Sequence, residues 1–229
     1  MVRNILIFIV LSVLGVAFMQ MIIGFSDPQS LGIAASHYAA NGLSQLGATN
    51  LVTSVVVTYR GLDTLGEVTV LFLTASILAF FLKGGKDVKK SRPSELLSTA
   101  SAVIFPFIFV TGVYIAVNGH LTPGGGFQGG AVLASSLLLM ILADPKTKGA
   151  PALFSYLESL SGIIYVLLGL AGLILAGGFL DATLLPAGKA GTLLSAGIIP
   201  IISVLIGVKV GAELSTLIVK LKNAGEETQ

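Results

Sequence analysis

The chain has no cysteine. That absence excludes disulfides, iron–sulfur ligation and thiol catalysis together, so any redox chemistry has to sit on another chain. Charge is scarce too: charged residues make up 10% of the 229 and hydrophobic residues 54%, where a soluble domain carries roughly 25% charged. There is too little polar side chain to cover a soluble fold. No paired nucleophile and base, no metal-ligand cluster and no internal repeat can be read along the chain. The sequence therefore calls for no cofactor and no bound metal, and an independent carrier or small intramembrane enzyme has nothing to support it. Many self-sufficient transporters are built from inverted repeats, and their absence favours one member of a larger complex over a complete carrier.

What is present is apolar sequence in long runs. A bilayer core about 30 Å thick needs roughly 20 consecutive apolar residues in a helix. The pattern predicts an all-α, polytopic membrane protein with about six transmembrane helices, at roughly 4–24, 62–83, 96–118, 127–143, 159–180 and 192–219. The first run, Ile5 to Ile23, reaches spanning length and lacks a small-residue cleavage pattern, so it reads as a helix and not as a signal peptide. Ser26 to Thr49, with Pro28, His37 and several Gly and Asn residues, reads as an extramembrane loop. Asn50–Tyr59 is apolar but too short to span before Arg60 and Asp63 interrupt it, and reads either as a short interfacial helix, the favoured reading, or as the start of the second span. Pro106 and Pro200 fall inside the third and sixth predicted spans, where each would remove a backbone hydrogen bond.

The net charge of +2 hides an asymmetry. Lys83, Lys86, Lys89, Lys90, Arg92, Lys146, Lys148, Lys220, Lys222 and Arg3 all fall on one side of the predicted spans, leaving Lys189 in an opposite loop and Arg60 near a boundary. The positive-inside rule then puts both termini in the cytoplasm. Basic residues confined to short loops make no nucleic-acid surface.

A few charges lie where lipid is expected. Arg60, Asp63 and Glu67 are three and four residues apart, so a helix would carry them on nearly one face at the outer end of the second span. Lys209 and Glu213, four apart, interrupt the sixth. A charge at the membrane centre costs about 2.5–3.5 kcal/mol on insertion scales and usually marks an ion or proton path. Carboxylates suit that work: they bind Na⁺ through hard oxygens, or carry a proton where apolar surroundings disfavour their charged form. The simpler reading is internal salt bridges near the interfaces, with Lys209 snorkelling. His120, at the outer end of the third span, has a side chain that can exchange protons around neutrality. Glu158 reads as a residue of the cap region that starts the fifth span, where a carboxylate suits a helix N-terminus.

The stretch Gly119-His-Leu-Thr-Pro-Gly-Gly-Gly-Phe-Gln-Gly-Gly130 contains a G-x-G-x-x-G. With membrane helices on both sides, no βαβ unit and no Walker lysine, it is not a nucleotide site. Pro123 and the successive glycines predict a tight turn. Gly126, Gly130 and Ala134 then give the fourth span a small-residue stripe for close helix contact, and Gly207, Gly211 and Ser215 do the same for the sixth.

Two motifs resemble a known family. The run from Asn118 through Gly130 resembles the signature loop of MnhB (also MrpB), a small membrane protein of the Mrp-type multisubunit Na⁺/H⁺ antiporters, and the resemblance extends from Glu95 to about Lys220. Tyr59-Arg-Gly-Leu-Asp-Thr-Leu-Gly-Glu-Val-Thr-Val-Leu71 resembles the C-terminal region of MrpA, the large antiporter protein of the same complexes, and MbhE of the archaeal membrane-bound hydrogenases. The family often has Phe where this chain has Leu62; Asp63 and Glu67 match its motif. The resemblance implies two parts, residues 1–94 MbhE-like with two spans and residues 95–229 MnhB-like with four.

It also implies a complex exchanging Na⁺ for H⁺, either stand-alone or attached to a hydrogenase or a related sulfur-reducing or formate-oxidising module. In such complexes the large antiporter-fold subunits hold the main lysine–glutamate relay and peripheral subunits hold the catalytic metals. The expected partners are the other membrane subunits, Na⁺, H⁺ and the lipid bilayer. The expected role is a cation route lined by Asp63, Glu67 and Glu213, with Arg60 and Lys209 tuning their charge. The rival is a scaffold whose buried charges only fix helix register.

Overall fold

A computed structural model describes residues 2–25, 30–81, 94–144 and 151–226. Among these, the regular structure is all helical, without a strand, and six helices are long and apolar enough to cross a membrane. Lys83, Lys86, Lys89, Lys90, Arg92, Lys146 and Lys148, on which the predicted orientation rests, lie outside the described residues.

The chain forms two compact units, residues 1–37 and 38–229. The first holds helix α1 (Val2–Ile23) and the beginning of α2 (Ile33–Leu46). α1 is apolar all round, with Phe8, Phe18, Met21 and Ile22 exposed, as expected of a helix whose solvent is lipid or neighbouring protein. The stretch 26–49, expected to be a loop, therefore contains a helix. The run Ile33-Ala-Ala-Ser-His-Tyr-Ala-Ala is rich in alanine, the strongest helix former, and no proline interrupts it.

The second unit continues with α3 (Leu51–Ser54), a π-helical turn (Val55–Tyr59) and α4 (Gly61–Phe81), then α5 (Glu95–Val117), α6 (Gly126–Ala143), α7 (Pro151–Leu175) and α8 (Ile199–Glu226). The short helix expected over 50–59 is present as α3 and the π turn. The Asn50 side chain caps it by accepting from the Thr53 amide, and at its far end the Arg60 amide donates to the Val55 carbonyl at 2.9 Å. π turns recur at functional sites.

α8 is the central helix and packs against α4, α5, α6 and α7. Half of its span is buried within the chain, with Ile202, Ile206 and Val210 inside a core completed by Val57, Val68, Tyr165 and Leu180. α6 packs on α8 through the expected glycines. A methyl group on Gly126 would come within 2.1 Å of the Ser203 carbonyl, and one on Gly130 within 2.7 Å of the Gly207 carbonyl. In lipid, such close backbone approach supplies the van der Waals contact that drives helix association.

Two helix starts differ from the sequence expectation by seven or eight residues, both for reasons of helix-end chemistry. α8 begins at Ile199, not at 192, so Pro200 sits in its first turn, where no backbone hydrogen bond is lost. The preceding residues fold back as a cap, with the Ala196 amide donating to the Ala187 carbonyl at 2.7 Å. α7 begins at Pro151 and not at 159. Proline is favoured at a helix start, and Glu158 accordingly lies about two turns inside the helix and not at its cap.

Candidate functional site

The ionisable residues of the second unit sort into three places. The first is where α7 meets α8. Lys209 Nζ lies 3.5 Å from Glu213 Oε2 and 4.0 Å from Glu158 Oε1. The side chain of Glu213 is 2% exposed, and those of Lys209 and Glu158 are 14% and 15% exposed. Glu213 Oε1 is buried without a hydrogen-bond partner. Lys209 also stands 5.4 Å from the centroid of the Phe72 ring on α4, within cation–π range. Its stem passes beside Gly162, with Cδ 3.8 Å from where a Cβ would stand. A groove of about 540 Å³ between α4 and α7 opens onto Glu158 and Lys209, walled by apolar residues such as Leu65, Val68 and Ile163.

The second place is beside the π turn. Glu67 lines a cavity of about 230 Å³ with Thr53, Thr64, Gln128 and the glycines 124–126. Its position there follows from the latch between α3 and the glycine loop. Asn50 Nδ2 donates to the Gly119 carbonyl at 2.8 Å and to the Thr122 carbonyl at 2.7 Å. The Thr53 hydroxyl donates to the Gly124 carbonyl at 2.9 Å. Gly124 has φ +135°, which a side chain would strain. Tyr165, whose hydroxyl donates to the Gly61 carbonyl at 3.2 Å, lies within electrostatic reach of Glu67 and also lines the Lys209 groove.

The third place is the exposed start of α4, where Arg60 Nε donates to Asp63 Oδ2 at 2.6 Å. Arg60 itself lies just before the helix, and both side chains are more than half exposed in this chain. The three residues expected on one face are thus divided: Arg60 and Asp63 pair with each other, and Glu67 faces the cavity.

The ring of His120 reaches none of these groups, although its carbonyl accepts from the Asn50 amide at 3.0 Å. It is fully buried under the 192–193 turn, with Nε2 3.4 Å from the Thr192 carbonyl. Burial pushes its pKa below the usual value for histidine, against the opposing pull of the Thr192, Leu193 and Val117 carbonyls, and so favours the neutral ring around neutrality. Among the described residues, no group of three or more His, Cys, Asp or Glu is placed to hold a metal ion.

Sequence reasoning missed Glu158 as a member of the charged group. The signal that could have found it was Pro151: a helix started there would have carried Glu158 into the span.

Residues 96–216 match the family described as a domain related to the MnhB subunit of Na⁺/H⁺ antiporters, and residues 2–93 match the MbhE family of MBH proteins. An uncharacterized protein of Methanocaldococcus jannaschii is 31% identical over 200 residues, covering 73% of this chain and 74% of that one. A chain in the structure of the membrane-bound sulfane sulfur reductase, an archaeal respiratory membrane complex, superposes with a TM-score of 0.79 at 39% identity, over 96% of this chain and 98% of that one. A chain of the Mrp complex from a Dietzia species superposes with a TM-score of 0.76 at 26% identity, over 96% of this chain but only 26% of that larger one. With the glycine loop, the four spans after residue 95 and the two before it all accounted for, this multi-pass membrane protein belongs to the family of domains related to the MnhB subunit of Na⁺/H⁺ antiporters, preceded by an MbhE segment.

Proposed function

We propose that this chain is a membrane subunit of a cation/proton antiporter module within a respiratory membrane complex, where it helps to form a Na⁺ route and holds neighbouring membrane subunits together. The observation that carries the reading is the near end-to-end likeness to a chain of the sulfane sulfur reductase complex. A stand-alone antiporter is the alternative setting, supported by the likeness to the Dietzia Mrp complex. The residues fall into two sequence-defined parts, 1–94 and 95–229, the first corresponding to MbhE and the second to MnhB.

Within the module, Asp63, Glu67 and Glu213 line a hydrated cation route shared with adjoining subunits, and Arg60 and Lys209 tune their charge. Support comes from the cavity at Glu67, whose threonine and glutamine lining offers further oxygens to a cation. The half-exposed Asp63 is free to face a neighbouring subunit. The apolar faces of α1 suit lipid or the helices of partner subunits. Both termini are cytoplasmic, as the basic loops require.

The test is Na⁺-dependent transport by the assembled complex in inverted vesicles. Asp63→Ala and Glu67→Ala should each lower it with assembly preserved. Unchanged transport would remove that residue from the route. Loss of assembly in neutral variants of either residue would favour the scaffold role.

A further inference from the structure

Three ionisable side chains meet where α7 crosses α8, and their charges do not balance. One ammonium, Lys209, faces two carboxylates, Glu213 at 3.5 Å and Glu158 at 4.0 Å. Fully ionised, the group carries one excess negative charge. An uncompensated charge out of water is strongly unfavourable, and removing one partner of a buried ion pair is strongly destabilising. Glu213 Oε1 shows where compensation is missing: it is sealed from solvent and has no hydrogen-bond partner.

We propose that Glu158, Lys209 and Glu213 form a proton-holding triad within the membrane, the two carboxylates sharing one exchangeable proton while Lys209 balances the charge that remains. This rests on the antiporter reading above and refines it: Glu213 serves the H⁺ side of the exchange, Asp63 and Glu67 remain on the Na⁺ side, and Glu158 joins the charged groups that take part. Uptake converts one carboxylate and one H⁺ into a carboxylic acid. Release returns both, and Lys209 keeps its ammonium protons throughout.

The donor set favours a proton over a metal cation. Hard cations take several oxygen ligands at once, whereas the side chains lining the groove beside the triad offer, besides the Glu158 carboxylate, only the neutral hydroxyls of Thr69, Ser159 and Tyr165 among apolar walls. Lys209 already occupies the position between the carboxylates and would repel a second cation. A proton needs one oxygen. Glu158, at 15% exposure, is the seat open to the groove, and Glu213, at 2%, is the enclosed one.

Among the described residues, the cation paired with Glu158 and Glu213 is Lys209; the next basic residues of α8, Lys220 and Lys222, lie about two turns or more beyond Glu213 along the helix. α6, packed on α8, has no ionisable residue between Gly126 and Ala143. α5 carries Glu95 in its first turn and Tyr114 near its far end. On α4, Asp63 is paired with Arg60 and Glu67 faces the other cavity. The Tyr165 hydroxyl on α7 is engaged by the Gly61 carbonyl.

The experiment is infrared difference spectroscopy of the intact complex in lipid nanodiscs through a pH titration, reading the carboxylic-acid C=O band. Wild type should show a band at neutral pH that is lost in both Glu158→Gln and Glu213→Gln, because each leaves a balanced lysine–carboxylate pair. Lys209→Met, which strips the cation from two carboxylates, should roughly double it. Identical spectra in wild type and both Gln variants would overturn the triad, as would loss of the band on adding Na⁺ at fixed pH. Na⁺ flux in the same preparations separates the two readings. If the band behaves as expected while Asp63→Ala and Glu67→Ala transport normally, the Na⁺ route fails and the triad stands. If those variants lose flux and the band is absent, the triad fails and the route stands.

Discussion

Gly126 lies so close to Ser203 that a methyl group on it would stand 2.1 Å from the Ser203 carbonyl oxygen. The obstacle is backbone, which cannot rotate away as the end of a side chain can. Gly126→Ala and Gly130→Ala should therefore each destabilise the chain, by at least the ~1–3 kcal/mol typical of overpacking. Gly66→Ala is the control. Nothing lies within 4 Å of its added Cβ, and it should be neutral or gain up to about 1 kcal/mol in helix propensity. Thermal unfolding in detergent separates the three.

Asn50 holds the glycine loop by donating to two carbonyls, of Gly119 and Thr122, while its own side-chain oxygen caps α3. Asn50→Leu removes all of these and leaves part-buried carbonyls unpaired, at about 1–3 kcal/mol. The Glu67 cavity is built on the same loop. The variant should lose transport more than it loses expression, and the ratio of flux to assembled complex measures this.

His120 gives the fold a one-sided dependence on pH. Burial lowers its pKa in the folded chain, so the unfolded chain binds more protons once pH falls below about 6.5, the unperturbed value. Stability is fully present above that pH and is lost as the solution is acidified through it toward the lower folded value. His120→Gln should flatten this part of the stability–pH profile between about pH 7 and 5, measured as the midpoint of thermal unfolding.

The Arg60–Asp63 pair is a surface pair in the isolated chain, with both partners more than half exposed. Arg60→Ala should change the stability of the purified chain by no more than about 1 kcal/mol, with the difference shrinking further in high salt. A much larger effect on the assembled complex than on the isolated chain would place the pair at a contact with a neighbouring protein.

Several features were legible in the residues because they depend on local pattern alone. Apolar run length gives the spans, and small residues four apart give the α6–α8 seam. The proline–glycine loop gives the turn between α5 and α6. The α2 helix was missed because polar and small residues in Ser26 to Thr49 read equally well as loop, and nothing in that stretch has the length of a span. The starts of α7 and α8 were misplaced because apolar content does not mark a helix end. Pro151 and Pro200 do, each by occupying a first turn where its missing amide is harmless.

By itself the sequence determined that this chain lives in a membrane and to which family it belongs, since hydropathy, glycine spacing and motif are properties of neighbours along the chain. Only the tertiary structure decided which charges meet. Glu158 is 51 residues from Lys209 in sequence and 4.0 Å from it in space, while Glu67, four residues from Asp63, faces a different cavity. The physical reason is that a helix fixes the directions of its own side chains but not the helix they will face. That choice falls to the close packing of α8 against its neighbours, which brings together charges on elements that the linear order keeps apart.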